Sequence, residues 1–234
     1  MPYRLSRARK RFDLETDKLL GSLREAFSSK CKSTPTRELA LCGAILLSSA
    51  KLESYLEDLI GDWGKSLKSP PLTTEKLPKR MRAFLLRTPA VVEAYRRYTC
   101  FRDETDLLPR LANLLGNSLH DLAADGRGIP LFEISSVYKD KKYPSPGNIK
   151  RLFYRFDFDN VFNELGRIGR RDVEAMLNSF NDKRTEMAHV GMPVGLTKDD
   201  IKNQIVEARK IVSYIDRMFY SHVVKTVGAA FWTT

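Results

Sequence analysis

Apolar residues in this chain recur every three or four positions and nowhere alternate convincingly with period two. That pattern confines the fold to helices, because only a helix gathers positions i, i+3, i+4 and i+7 on one face. The longest such stretch predicts a helix from about Arg37 to Leu67. Its first half carries Leu39, Leu41, Ile45, Leu46 and Leu47 nearly all round, which predicts the most buried helix of the molecule. The small residues Gly43, Ala44, Ser48, Ser49 and Ala50 would let a neighbouring helix approach closely. In the second half Leu52, Tyr55, Leu56, Leu59 and Ile60 point inward, with Glu53, Glu57 and Asp58 outward or toward a cleft.

The same periodicity predicts helices over Phe12 to about Lys30, Glu75–Leu86, Pro89–Phe101 with Thr88 as N-cap, and Asp106–Ala124. Ser69-Pro-Pro-Leu-Thr-Thr reads as a linker, and Leu131–Tyr138 as either a short strand or a loop. A basic loop, Lys139 to Gly147, precedes a helix from Ser145 to about Phe156. Another helix should cover Arg171 to His189, stopped by Gly191 and Pro193. Thr197-Lys-Asp-Asp200 resembles a capping box opening a last long helix to about Val224, with Ile201, Ile205, Ala208, Ile211, Val212, Ile215 and Phe219 as its apolar stripe. The expected class is therefore all-α.

A length of 234 residues suits one domain, or one domain with a large insertion. We expect a single domain over 1–234, with 1–12 as a basic N-terminal arm and about 67–147 as a mostly helical insertion of unassigned role. The Arg4–Arg11 cluster reads as a nucleic-acid arm or a disordered start. Lys and Arg outnumber Asp and Glu by 40 to 29, a formal charge of +11 that favours polyanionic partners, chiefly RNA or DNA, or else serves solubility alone. Cys31, Cys42 and Cys100 are odd in number and lack metal-ligand spacing, which argues against a disulfide scaffold and points to a reducing compartment. Cys42, in an apolar run, reads as a small core residue. The basic start leads into Phe12-Asp-Leu-Glu rather than an apolar run, and Leu39–Ala50 is short for a bilayer, which takes about 20 residues. The expectation is a cytoplasmic protein with no membrane partner.

One constellation carries chemistry. Arg184 and His189 stand five residues apart near the end of a predicted helix, in Arg184-Thr-Glu-Met-Ala-His189-Val-Gly191. On a regular helix the two side chains lie about 140° apart. They could converge if the helix loosens at His189, or if a site is assembled across two copies. The bare pair fits equally a surface Arg and a helix-end His favoured by the C-terminal dipole.

That segment, followed by a long capped helix, resembles the signature of HEPN domains, in which an Arg, a polar neighbour and an Ala-His pair end one bundle helix. Leu39 to Ile60, including Glu53, also resembles the long early helix of the RiboL-PSP branch of that superfamily. The resemblance implies a HEPN-like helical bundle and a metal-independent endoribonuclease without cofactor. Its setting would be a toxin or an anti-phage defence effector, with an antitoxin or regulatory protein as partner. Arg184 and His189 would be catalytic, with Thr185 and Glu53 in support. Thr185 stands where active members most often have Asn or Asp; it keeps a hydroxyl but loses the amide or carboxylate geometry. It is the feature that favours the alternative, a non-catalytic HEPN module binding RNA, a nucleotide or a partner protein. Glu53 either orients Arg184 or is a solvated helix-face carboxylate.

The pair suits RNA cleavage. His can move the proton of the 2′-hydroxyl or of the leaving oxygen, and Arg can grip two phosphate oxygens as charge builds on them. Attack by the 2′-hydroxyl leaves a 2′,3′-cyclic phosphate and a 5′-hydroxyl. One His per protomer cannot easily act as both acid and base, and the resemblance implies a homodimer with facing motifs. Lys141, Lys142, Lys150, Arg151 and Arg155, interleaved with Tyr143, Phe153, Tyr154 and Phe156, form a candidate RNA-binding surface. Leu152, Phe153 and Phe156 are equally readable as core. His120 and His222 have no constellation around them and read as structural.

Overall fold

The computed structural model describes residues 2–67, 72–87, 89–102, 104–115, 118–141, 143–189 and 195–234. Among these the chain is all-α: α1 (Arg7–Ala26), α2 (Thr34–Ser66), α3 (Lys79–Leu86), α4 (Pro89–Phe101), α5 (Glu104–Leu115), α6 (Ser135–Tyr138), α7 (Pro146–Tyr154), α8 (Val161–Gly169), α9 (Val173–His189) and α10 (Lys198–Thr226). The only pairing of strand type among the described residues is an isolated bridge between Thr73 and Gly128. Thr88, Lys142, Gly191 and Pro193 lie outside the described residues, as do the first three residues of the Ser69–Thr74 linker.

The long helices α2 and α10 run through the centre, with α1, α7, α8 and α9 packed around them. Leu52, Tyr55, Leu56, Leu59, Ile60 and Trp63 of α2 meet Ile211, Val212, Ile215 and Phe219 of α10, as their apolar stripes require. Trp63 and Phe156 contact edge to face at 5.4 Å, and Phe156 and Phe219 at 5.2 Å, so Phe153 and Phe156 belong to the core. By length and hydropathy α2 would suffice to cross a membrane, but Ile45, Leu52, Leu56 and Ile60 are at most 1% exposed within the bundle. Of the small residues expected to allow close approach, Ala44, Ser48 and Ser49 are buried, whereas a Cβ at Gly43 would meet open space; further along α2, Ile134 packs against the backbone at Gly64, in space a Cβ would occupy.

Several expectations are corrected. Helix α2 is the most buried helix, as expected, but its burial lies mainly in the second half, and Leu39 at 74% and Leu47 at 49% exposure face outward. Cys42 is only half-buried. Residues 2–12 do not form a free arm. Ser6 caps α1 by accepting from the Arg9 amide, and the buried Asp216 of α10 accepts from the Ser6 amide at 3.2 Å, from the Tyr55 hydroxyl at 3.2 Å and from the Tyr3 and Ser6 hydroxyls. Ala8 and Phe12 then enter the core. Residues 131–138 contain the short helix α6 instead of a strand. The expected Asp106–Ala124 helix divides into α5 and a 3-10 turn at Ser118–Ala123. The capping box at Thr197 forms: the Asp200 carboxylate accepts from the Thr197 amide at 2.9 Å, and the Thr197 hydroxyl accepts from the Asp200 amide at 3.2 Å.

Candidate active site

The end of α9 is anchored by Met187, which is buried in a small cluster with Leu23 of α1, Leu41 and Ile45 of α2, and Ile201 and Ile205 of α10. This fixes the rotation of the helix. With Val173, Leu177, Phe180 and Met187 facing inward, Arg184 falls on the same stripe, three residues before Met187. It is half-buried, and its guanidinium lies over the Tyr143 ring, 5.6 Å from the centroid. Thr185 and His189, one turn apart, share the opposite, exposed face.

Tyr143 is held in place from α9 itself. Asn181, 8% exposed, donates from Nδ2 to the Pro144 carbonyl at 2.8 Å, which ties down the residue following Tyr143. Its Oδ1 is buried with no hydrogen-bond partner among the described residues. Lys150 of α7 reaches Glu174 at 2.7 Å. Residues 143, 144 and 150 therefore meet 184, 181 and 174 in turn, so that α7 and its leading loop run antiparallel to α9. Asn181 escapes sequence reasoning because it reads as one of a polar run, Asn181-Asp-Lys-Arg184. Its place one turn beyond Leu177, on the inward stripe, is the signal that could have found it.

The helix does not loosen at the motif: α9 is regular through His189. Arg184 and His189 are therefore separated by about 140° around the axis and about 7.5 Å along it. Within one protomer they are not brought together. Glu53 is half-buried on α2, a helix that packs against α9.

The basic set fares unevenly. Arg155 does not face outward as an RNA contact: it is 9% exposed, its guanidinium forks onto both Asp140 oxygens at 2.8 and 2.9 Å, donates to the Val137 carbonyl and stacks on Phe84. That pairing also holds the Asp140 carboxyl well below the usual carboxylate range. Lys141 pairs with the same Asp140 at 3.0 Å. Lys150 and Arg151 remain at the surface, and Lys142 is outside the described residues. His120 is exposed, while His222 lies between Phe158 and Phe219 and burial pushes it down to about 4. Among the described residues no three His, Cys, Asp or Glu side chains are grouped as metal ligands.

No curated protein and no solved structure matches this chain significantly. The model of one family, RiboL-PSP-HEPN, matches residues 16–221, a range that takes in both halves of the resemblance and the segment between them. HEPN domains are often RNases. Through that match over most of its length, the chain belongs to the RiboL-PSP-HEPN family.

Proposed function

We propose that this chain is a metal-independent endoribonuclease that turns the 2′-hydroxyl of RNA on the adjacent phosphate, leaving 2′,3′-cyclic phosphate and 5′-hydroxyl ends. The observation that carries this reading is the end of α9, where an exposed His189 and a braced Arg184 occur together in a HEPN chain. Arg184, always charged and oriented by Tyr143 and Asn181, would stabilise the phosphorane oxygens. His189, open to solvent, would exchange the proton with the attacking or leaving oxygen. Thr185, on the same face as His189, would hydrogen-bond substrate through its hydroxyl.

The reaction needs an acid and a base, and one protomer offers one His at the motif. A homodimer with facing α9 ends would supply two. Self-association is supported by the outward face of α2, where Leu39 and Leu47 are largely exposed eight residues apart on one stripe. A toxin or anti-phage effector, cytoplasmic and restrained by a protein partner, is the setting we propose for such an activity. The replacement of the usual Asn or Asp by Thr185 favours a second reading, a non-catalytic module that binds RNA, nucleotide or protein.

The deciding experiment incubates purified protein with labelled RNA in excess chelator and analyses the ends. Cyclic phosphate products, and resistance of a substrate carrying a single 2′-deoxy sugar at the cut, support the enzyme. Binding without cleavage supports the module.

A further inference from the structure

A second place on the molecule is built for phosphate and an aromatic ring, away from the end of α9. Between α3 and α7 opens a pocket of about 720 Å³, within the range of small-ligand sites. Six cations line it against one carboxylate, Asp159. Three of the six are structural, among them Lys141, which pairs with Asp140 at 3.0 Å. Arg155 is locked to Asp140 and stacks on Phe84 at 3.8 Å. Arg80 pairs with Asp159 and stacks on the Tyr154 ring at 4.0 Å. The wall is rigid, because Asp157 accepts from the first amides of α3, Lys79 at 2.7 Å and Arg80 at 3.0 Å, and so fastens α3 to the turn after α7.

The remaining cations are differently placed. Arg87 and Arg151 are exposed at the pocket, and the Lys150 pair with Glu174 is solvent-exposed, a kind of contact readily exchanged for a phosphate. Tyr154 is 52% exposed although Arg80 covers part of it, so ring surface is left for a base. Fixed arginines behind aromatic rings, with open cations at the rim, match the combination that grips phosphate and stacks a base. Lys150 also touches α9 at Glu174, about 15 Å along the helix from Arg184 at a rise of 1.5 Å per residue. The pocket thus lies at the far end of the same α7–α9 seam.

We propose that the α3–α7 pocket is a nucleoside-phosphate site, with Arg87, Arg151 and Lys150 holding the phosphate and Tyr154 stacking the base. The nucleotide is either free or a link in an RNA strand. The site does not depend on cleavage, so it is tested in a His189→Ala background, where binding and catalysis separate.

Titrate that protein with a fluorescent single-stranded RNA by anisotropy, and with adenosine and uridine monophosphates by calorimetry. Binding of the monophosphates identifies a free nucleotide; binding of the oligonucleotide alone identifies a strand. Arg87→Glu/Arg151→Glu should weaken either at least tenfold and flatten the dependence of log affinity on log salt by roughly 0.7 per lost contact for single strands. Tyr154→Ala should cost about five- to a hundredfold, and Tyr154→Phe little, as expected of a stacking platform. A matched reversal on α1, Lys10→Glu/Lys18→Glu, should change binding far less. The proposal is overturned if neither probe binds, if the pocket variants bind like their parent, or if the α1 reversal weakens binding as much, which would mean diffuse charge attraction only. Absence of cleavage by the protein with His189 intact, with nucleotide binding retained, would sink the nuclease reading and leave this site standing.

Discussion

Replacing Asn181 by Ala should separate the bracing of Arg184 from the chemistry it serves. The substitution deletes the 2.8 Å bond from Nδ2 to the buried Pro144 carbonyl. Leaving such an acceptor without its donor costs about 1–3 kcal/mol. The same change removes an Oδ1 that is already buried without a partner, so the net loss should sit near the lower end, about 1 kcal/mol. For a chain of this length that is a fall of about 2–4 °C in Tm. The functional effect runs through Tyr143, which the bond steadies beneath the guanidinium of Arg184. A cation–ring contact of this kind is worth about 0.5–2 kcal/mol, so kcat/KM for RNA should fall about two- to thirtyfold. Thermal unfolding and single-turnover cleavage of labelled RNA measure the two effects. Tyr143→Ala should lose a similar amount of activity, Tyr143→Phe almost none, and the double variant less than the sum because both act through one contact. A variant with lowered Tm and undiminished cleavage, or a fully additive double variant, would refute the bracing.

Asp216→Ala strands the Ser6 amide and the hydroxyls of Tyr3 and Ser6, and leaves the Tyr55 hydroxyl only the Val212 carbonyl at 3.4 Å, so denaturant titration should show a loss of at least about 3 kcal/mol; a loss under 1 kcal/mol (about the net worth of one ordinary hydrogen bond) would contradict the anchoring of the N-terminus. Burial pushes His222 down to about 4, with Lys225 adding to that and Asp157 opposing it. The unfolded chain, titrating near about 6.5, then binds the extra proton first, so stability should fall by about 3 kcal/mol as pH drops from about 6.5 to 4 and no further below. His222→Phe should remove that component; an unchanged pH slope would assign it elsewhere. Leu39→Glu/Leu47→Glu should convert a dimer to monomer in sedimentation while helicity is kept, and a persisting dimer would place the interface on another face.

Much of the architecture is legible in the sequence because long helices write their burial into a 3.6-residue period. The inward stripes of α2's second half, α9 and α10 are instances, and the Thr197 capping box marks a boundary through local chemistry alone. Helix α8 escapes that reading: it has nine residues, and Gly166 and Gly169 dilute Val161, Phe162, Leu165 and Ile168. Periodicity also cannot distinguish an apolar face buried in the bundle from one left outside, hence the misplaced burial of Leu39 and Leu47. The candidate site is half legible. Arg184 and His189 stand out by motif, but the direction of Arg155 is set by Asp140 and Phe84, partners that only the fold supplies. A basic run such as Arg4–Arg11 looks like an arm until Asp216, more than two hundred residues away, takes the Ser6 hydroxyl.

The central claim, that the end of α9 cleaves RNA, is tested most directly by single-turnover cleavage in excess chelator with wild type and His189→Ala side by side. The account predicts products ending in 2′,3′-cyclic phosphate and a rate lowered about a hundred- to ten-thousandfold in the variant, the usual range for losing an acid–base group. Equal cutting by both proteins, or cutting that requires added magnesium, would contradict it.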